Sequence, residues 1–147
     1  METHDNILPV PRIRVLVVED NLDDSDLLVR QLQKNNFSGC VKVIPEGGHA
    51  WSLLQDEVCG ELLAIFLDLK LPSMGGIKLL RKIRSRSALT DVPVFVMTSS
   101  NSLKDLDDCT QLGVNGYMTK PVTYLAFAKA VADLFHSKAP TKLVRVE

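Results

Sequence analysis

Arg14-Val15-Leu16-Val17-Val18-Glu19-Asp20 carries an apolar run straight into two acids. Three further stretches share the pattern: Leu63-Ala64-Ile65-Phe66-Leu67 runs into Asp68, Val94-Phe95-Val96-Met97 into Thr98, and Gly116-Tyr117-Met118-Thr119 into Lys120-Pro121. Near-continuous apolar strands with polar ends suit a parallel sheet covered by helices on both faces, because each strand is buried on both sides and every carboxyl end opens on one edge. The acids, the hydroxyl and the lysine then converge at that edge. Crowded carboxylates raise one another's pKa unless a hard divalent cation with oxygen ligands, such as Mg²⁺, holds them ionised. The chemistry this points to is Mg²⁺-assisted phosphoryl transfer.

On either side of these runs, strand and helix patterns alternate along the chain. Strands are expected at residues 13–18, 41–44, 62–67, 92–97 and 116–118, from β-branched or continuous apolar runs bounded by turn residues. Between them, Asp23, Asp24 and Asp26 place acids in a first helical turn, where they favour the helix dipole, and Leu28 and Leu32 follow on one face. Trp51, Leu54 and Val58 recur at helical spacing after Gly47-Gly48, and Ile77, Leu80 and Ile83 do so after Gly75-Gly76. Ser102 is a cap for a fourth helix with Leu103, Leu106, Cys109 and Leu112 on its inner side and Gly113 as its stop. A fifth apolar face runs through Tyr124, Phe127, Ala128, Val131, Leu134 and Phe135. Such strand–helix units with short connections give an α/β fold, a doubly wound five-stranded parallel sheet of flavodoxin-like strand order 2-1-3-4-5.

The 147 residues suit one domain, placed at 12–138, with an N-terminal arm at 1–11 and a C-terminal tail at 139–147. A formal charge of -1 builds in no general attraction to nucleic acid or to an anionic membrane. No apolar stretch reaches the roughly 18 residues of a membrane span, and the chain is read as cytoplasmic. Cys40, Cys59 and Cys109 are widely spaced and read as small apolar residues; His4, His49 and His136 have no partner at ligand spacing, which argues against a transition-metal site.

From Arg12 to about Phe135 the pattern closely resembles the receiver domain of two-component response regulators, carried by Glu19-Asp20, Asp68, Thr98, Tyr117 and Lys120-Pro121 together. The resemblance implies that Asp68 is the phosphoacceptor, Thr98 the switch hydroxyl, Tyr117 the switch aromatic and Lys120 the phosphoryl-binding cation, followed by a cis peptide bond. It also implies Mg²⁺ on Glu19, Asp20, Asp68 and the backbone carbonyl of Lys70. Its chemical logic is a charge balance: three carboxylates face Mg²⁺ and one lysine, and a phosphoryl group on Asp68 adds about one negative charge that Lys120 and Thr98 then accommodate. The loop from Asp68 to Gly76 matches the family apart from Gly75, where an acid is usual, and Lys70, where a small polar residue is common. Length and the run from Val92 to Ser100 are also similar to single-domain regulators paired with bacterial phytochromes.

The function these features imply is a stand-alone, non-enzymatic response regulator. It would take its phosphoryl group from a histidine kinase or phosphotransfer protein and act by partner docking or by dimerising through the face of helix 4, strand 5 and helix 5. A Mg²⁺-dependent phosphohydrolase would need a second acid two residues beyond Asp68, where Lys70 stands. A nucleotide-binding or flavin-binding domain would need a phosphate loop where the acidic run 19–24 would repel phosphate. A phosphate-independent adaptor with the same fold stays open, because Lys70 is atypical.

Overall fold

The computed structural model describes residues 12–37, 39–56, 61–132, 134 and 143–146. Strands β1 (Ile13–Val18), β2 (Gly39–Ile44), β3 (Ala64–Leu67), β4 (Val94–Thr98) and β5 (Gly116–Thr119) alternate with helices α1 (Leu22–Lys34), α2 (Gly47–Leu54), α3 (Gly76–Ser85), α4 (Leu103–Gln111) and α5 (Tyr124–Ala130). A further strand, β6 (Leu143–Val146), closes the chain. All pairings are parallel, and the sheet order β5-β4-β3-β1-β2-β6 contains the expected 2-1-3-4-5 arrangement.

β1, β3 and β4 are the apolar runs the sequence displays, buried because the sheet is covered on both faces. On one face Leu16, Ile65 and Val96 meet Leu79, Leu80 and Ile83 of α3 and Cys109 of α4; on the other, Val17, Phe66 and Met97 meet Leu28 and Leu32 of α1 and Phe127 of α5. Phe66 stacks on both Phe95 and Phe127, with ring centroids 5.1 and 5.6 Å apart. That packing seats β3, and with it Asp68, between its neighbours.

Several boundaries differ from expectation for local reasons. β4 starts at Val94 because Pro93 has no N–H to donate, although its carbonyl still accepts from Ile65. The expected inner face of α4 is wrong in part: Cys109 is buried, but Leu103 and Leu106 are 82% and 41% exposed. A three-residue repeat drifts around a 3.6-residue helix, so the early members rotate out to solvent. Tyr124 is likewise exposed at the start of α5, whereas Phe127 and Val131 are buried. The C-terminal tail expected at 139–147 contains β6, which pairs with β2 from Gly39 opposite Leu143 to Lys42 opposite Val146. An edge strand held by backbone hydrogen bonds needs no long apolar signature, so composition alone does not reveal it. The arm at 1–11, together with Val58, Cys59 and Phe135, lies outside the described residues.

Helix starts follow their caps: Asn21, Glu46, Ser102 and Thr123 each accept a backbone N–H of the first turn. α3 differs, since Gly75 caps it with no side-chain bond. The two neighbouring glycines have opposite freedom. A Cβ on Gly76 would lie 2.3 Å from the Asp68 carbonyl oxygen and 2.6 Å from Leu69 Cα, whereas one on Gly75 would meet nothing closer than 3.9 Å. Gly76→Ala is therefore expected to cost about 1–3 kcal/mol by forcing the loop beneath Asp68 to shift. Gly75→Asp should gain about 0.5 kcal/mol by adding a cap and a charge at the helix start. Urea unfolding of both variants checks this pair, and equal effects in the two would contradict it.

Candidate functional site

The carboxyl ends of β1, β3, β4 and β5 do deliver their polar residues to one edge. Glu19 follows β1 and is held by its N–H to the Ile44 carbonyl at 3.0 Å, while its Oε2 accepts from Asn21 N at 3.1 Å. Asp68 follows β3, with its N–H on the Val18 carbonyl at 3.0 Å and its Oδ1 accepting from Lys70 N at 3.2 Å. Glu19 and Asp68 are buried and Asp20 is exposed, yet one carboxylate oxygen from each lies within 4.8 Å of the others. An all-oxygen donor set at that spacing fits a hard divalent cation.

Lys120 closes the cluster. The Lys120–Pro121 peptide bond is cis, and Lys120 N donates to the Thr98 carbonyl at 2.8 Å, tying the β5 exit to β4. Its Nζ lies 2.6 Å from Glu19 Oε1, 2.8 Å from Asp68 Oδ2 and 2.9 Å from Asp24 Oδ2. Burial works against the ammonium, but the hydrogen bonds to Asp68, Glu19 and Asp24 outweigh it and hold its pKa above the usual lysine value. For Glu19 the balance goes the other way. Burial raises its pKa to about 7 despite the bond from Lys120.

Thr98 ends β4 fully buried, its Oγ1 accepting from Ser100 N at 3.0 Å. Ser100 Oγ in turn donates to Asp105 Oδ2 at 2.7 Å in the first turn of α4. Tyr117 on β5 is half-buried against the α3–α4 side of the core, and burial, with Cys109 and Asp105 adding to it, raises the pKa of its phenol. Lys70 is exposed on the loop after Asp68 and lines the mouth of the cleft with Asp20, Asn21, Ser99 and Pro121.

The response regulator receiver domain model matches residues 15–132. The chain belongs to the response regulator receiver family. Its receiver is 32% identical over 120 residues to the two-component response regulator-like PRR73 of rice (Oryza sativa subsp. indica), covering 80% of this chain and 15% of that protein. The chain thus spans a small fraction of that relative's length. It is 31% identical over 123 residues to the probable methanogenesis regulatory protein FilR2 of Methanothrix harundinacea (strain 6Ac), covering 82% of this chain and 79% of FilR2. Among solved structures it is similar to the bacteriophytochrome response regulator RtBRR, with TM-score 0.75 and 34% identity over 89% of this chain and 82% of that one. It also resembles the Mn²⁺-bound response regulator Rcp1, with TM-score 0.74 and 28% identity over 88% of this chain and 99% of that one. No helix among the described residues is long and apolar enough to cross a membrane.

Glu19, Asp20, Asp68, Lys70 and Lys120 line one cleft and Thr98 adjoins it through its carbonyl, while Tyr117 packs on the α3–α4 side of the core; two further residues tied to this group are not apparent from the sequence. Asp24 reads as a helix-dipole acid, and only the fold brings it to a lysine 96 residues away. Ser100 reads as a loop residue, though its place two after Thr98 is where a strand-end hydroxyl finds its next backbone N–H. Asp24 adds a fourth carboxylate to the Glu19, Asp20 and Asp68 group beside Lys120.

The raised pKa of Glu19 makes stability pH-dependent when metal is chelated. A carboxyl whose folded pKa lies above its ordinary 4.5 contributes stability that is fully present below 4.5 and lost as pH rises through about 7. Between about pH 5 and pH 8 the chelated wild type should lose on the order of 1–3 kcal/mol from this group. Glu19→Gln should flatten that slope in urea titrations run across the range; a variant slope parallel to wild type would contradict the assignment.

Proposed function

We propose that this receiver accepts a phosphoryl group on Asp68 from a histidine kinase or phosphotransfer protein and passes the change to a docking partner or a second copy. The observation that carries the reading is the buried Asp68 carboxylate held 2.8 Å from Lys120 Nζ, with Glu19 and Asp20 oxygens beside it. Glu19, Asp20 and Asp68 would hold Mg²⁺, with the Lys70 carbonyl as a further oxygen on the same loop. The manganese of Rcp1 supports a divalent ion here, and the likeness to RtBRR supports a phytochrome-type kinase as donor. When bound, the cation offsets carboxylate repulsion and the charge of the transferring phosphoryl group.

The chain's own residues supply the rest. Asp68 attacks the phosphorus, and the donor's imidazole leaves with the electron pair of the broken phosphorus–nitrogen bond. Lys120 already donates to Asp68, and that donor would turn to an oxygen the phosphoryl group brings. Thr98 reaches the new oxygens by turning its hydroxyl off Ser100 N. That turn frees Ser100, whose own hydroxyl holds Asp105, so the first turn of α4 feels a change made at Asp68. The phenol of Tyr117 lies on the same side of the core as Asp105 and Cys109, and its packing responds to that movement.

Acetyl phosphate with Mg²⁺ should add one phosphoryl mass to the wild type and none to Asp68→Asn. Thr98→Ala should still gain the mass while losing the accompanying change in partner binding or dimerisation. A labelled Asp68→Asn protein would overturn the phosphoacceptor; a Thr98→Ala protein that responds like wild type would overturn the relay.

Lys70 is exposed and lines the open cleft with Asp68, where its amine would shield an acyl phosphate from attacking water. Lys70→Asn should shorten the phosphoryl lifetime, by about two- to fivefold if the amine's contribution is that of an exposed ion pair of up to about 1 kcal/mol. An unchanged half-life would remove that role.

A further inference from the structure

An ammonium has three protons to donate, and at Lys120 the three short contacts go to Glu19, Asp68 and Asp24. These acceptors are not equivalent. Glu19 and Asp68 belong to the trio whose oxygens gather within 4.8 Å, while Asp24 does not. A role for Asp24 rests on the proposed Mg²⁺ site, where Lys120 and the divalent ion compete for the same two carboxylates, since both are cations drawn to the same oxygens.

We propose that Asp24 is a positioning residue that holds the Lys120 ammonium within the site while Glu19 and Asp68 serve the divalent ion. Three features suit Asp24 to this. Asn21 caps α1 by accepting the Asp24 N–H at 2.9 Å, which fixes the turn that presents the carboxylate. The carboxylate is half-exposed, so water can solvate the oxygen that Lys120 does not use. The small cavity that Lys120 lines is walled by Leu27, Leu28, Met97, Val122 and the neutral Gln31 besides Glu19 and Asp24, so those two carboxylates are the charged groups it sets against the ammonium. Among the described residues, Asp24 is therefore the one ion-pair partner of Lys120 outside the metal trio.

The test is a Mg²⁺ affinity cycle on the full chain by isothermal titration calorimetry, with wild type, Asp24→Asn, Lys120→Met and the double variant at one pH and ionic strength. If Lys120 is freed to press on Glu19 and Asp68, Asp24→Asn should weaken Mg²⁺ binding about three- to tenfold in the presence of Lys120, a normal coupling for groups in contact. In the Lys120→Met background the same change should alter affinity less than about twofold. Asp24→Glu, which keeps the charge on a longer arm, should recover most of the wild-type affinity. Equal weakening by Asp24→Asn in both backgrounds would reduce Asp24 to a nearby negative charge and overturn the proposal, as would no weakening in either. Those outcomes leave the metal site standing, whereas a wild type that binds no Mg²⁺ overturns both readings. Circular dichroism confirms folding of each variant, and Lys120→Gln replaces Lys120→Met in the cycle should the latter not fold.

Discussion

The contact between Lys120 and the carboxylates of Glu19, Asp68 and Asp24 is the feature around which the fold is arranged. Removing acids from water costs free energy unless opposite charge and hydrogen bonds replace what water supplied. Here the replacement comes from one ammonium, so β1, β3, β5 and α1 must all terminate or begin where its Nζ can be reached. The flanking hydrogen bonds serve that end. Glu19 N binds across to β2, Asp68 N to β1 and Lys120 N to β4, so each charged residue is clamped to the strand beside it.

Behind the charged edge the core is divided by the sheet into two apolar layers, and their rigidity gives the site its definition. Phe66, fully buried and two residues before Asp68, stacks between Phe95 and Phe127, leaving β3 little room to slide. Gly76 does the same for the loop, because its lack of a side chain lets α3 begin against the backbone of Asp68 and Leu69. At the opposite end, Arg84 binds the carbonyls of Leu112, Thr90, Val92 and Gly113, joining α3 to the segments that lead into β4 and β5. Burial lowers its pKa, yet its guanidinium still satisfies carbonyls that would otherwise lie unpaired at the helix ends.

Against that rigidity, the hydroxyl chain from Thr98 through Ser100 to Asp105 is built from single hydrogen bonds that can be exchanged without disturbing packing. Under the proposed function, a site of strong charges on a stiff sheet, connected to α4 by such bonds, would let a local electrostatic change become a change of helix surface. The exposed Leu103 and Leu106 of α4 lie on the element that would move.

Five of the described strands, their parallel order and the gathering of Glu19, Asp20, Asp68 and Lys120 at one edge are legible in the order of residues alone. Alternation of apolar runs with helical periodicity admits few topologies, and polar residues at strand ends can only converge in a parallel sheet. Residue order is silent where long-range packing decides. Asp24 belongs to a helix start by local rules, and its bond to Lys120 exists because the folded sheet brings the start of α1 and the end of β5 to the same edge. Leu103 and Leu106 carry the apolar residues of an inner face, but the phase of α4 on the sheet turned them outward. The strand at Leu143–Val146 depends on an open β2 edge, a backbone property that side-chain patterns do not record. The pKa of Glu19 and the gathering of three acids around Lys120 are likewise products of tertiary structure, since each depends on how much water and which charges the folded chain leaves around one group.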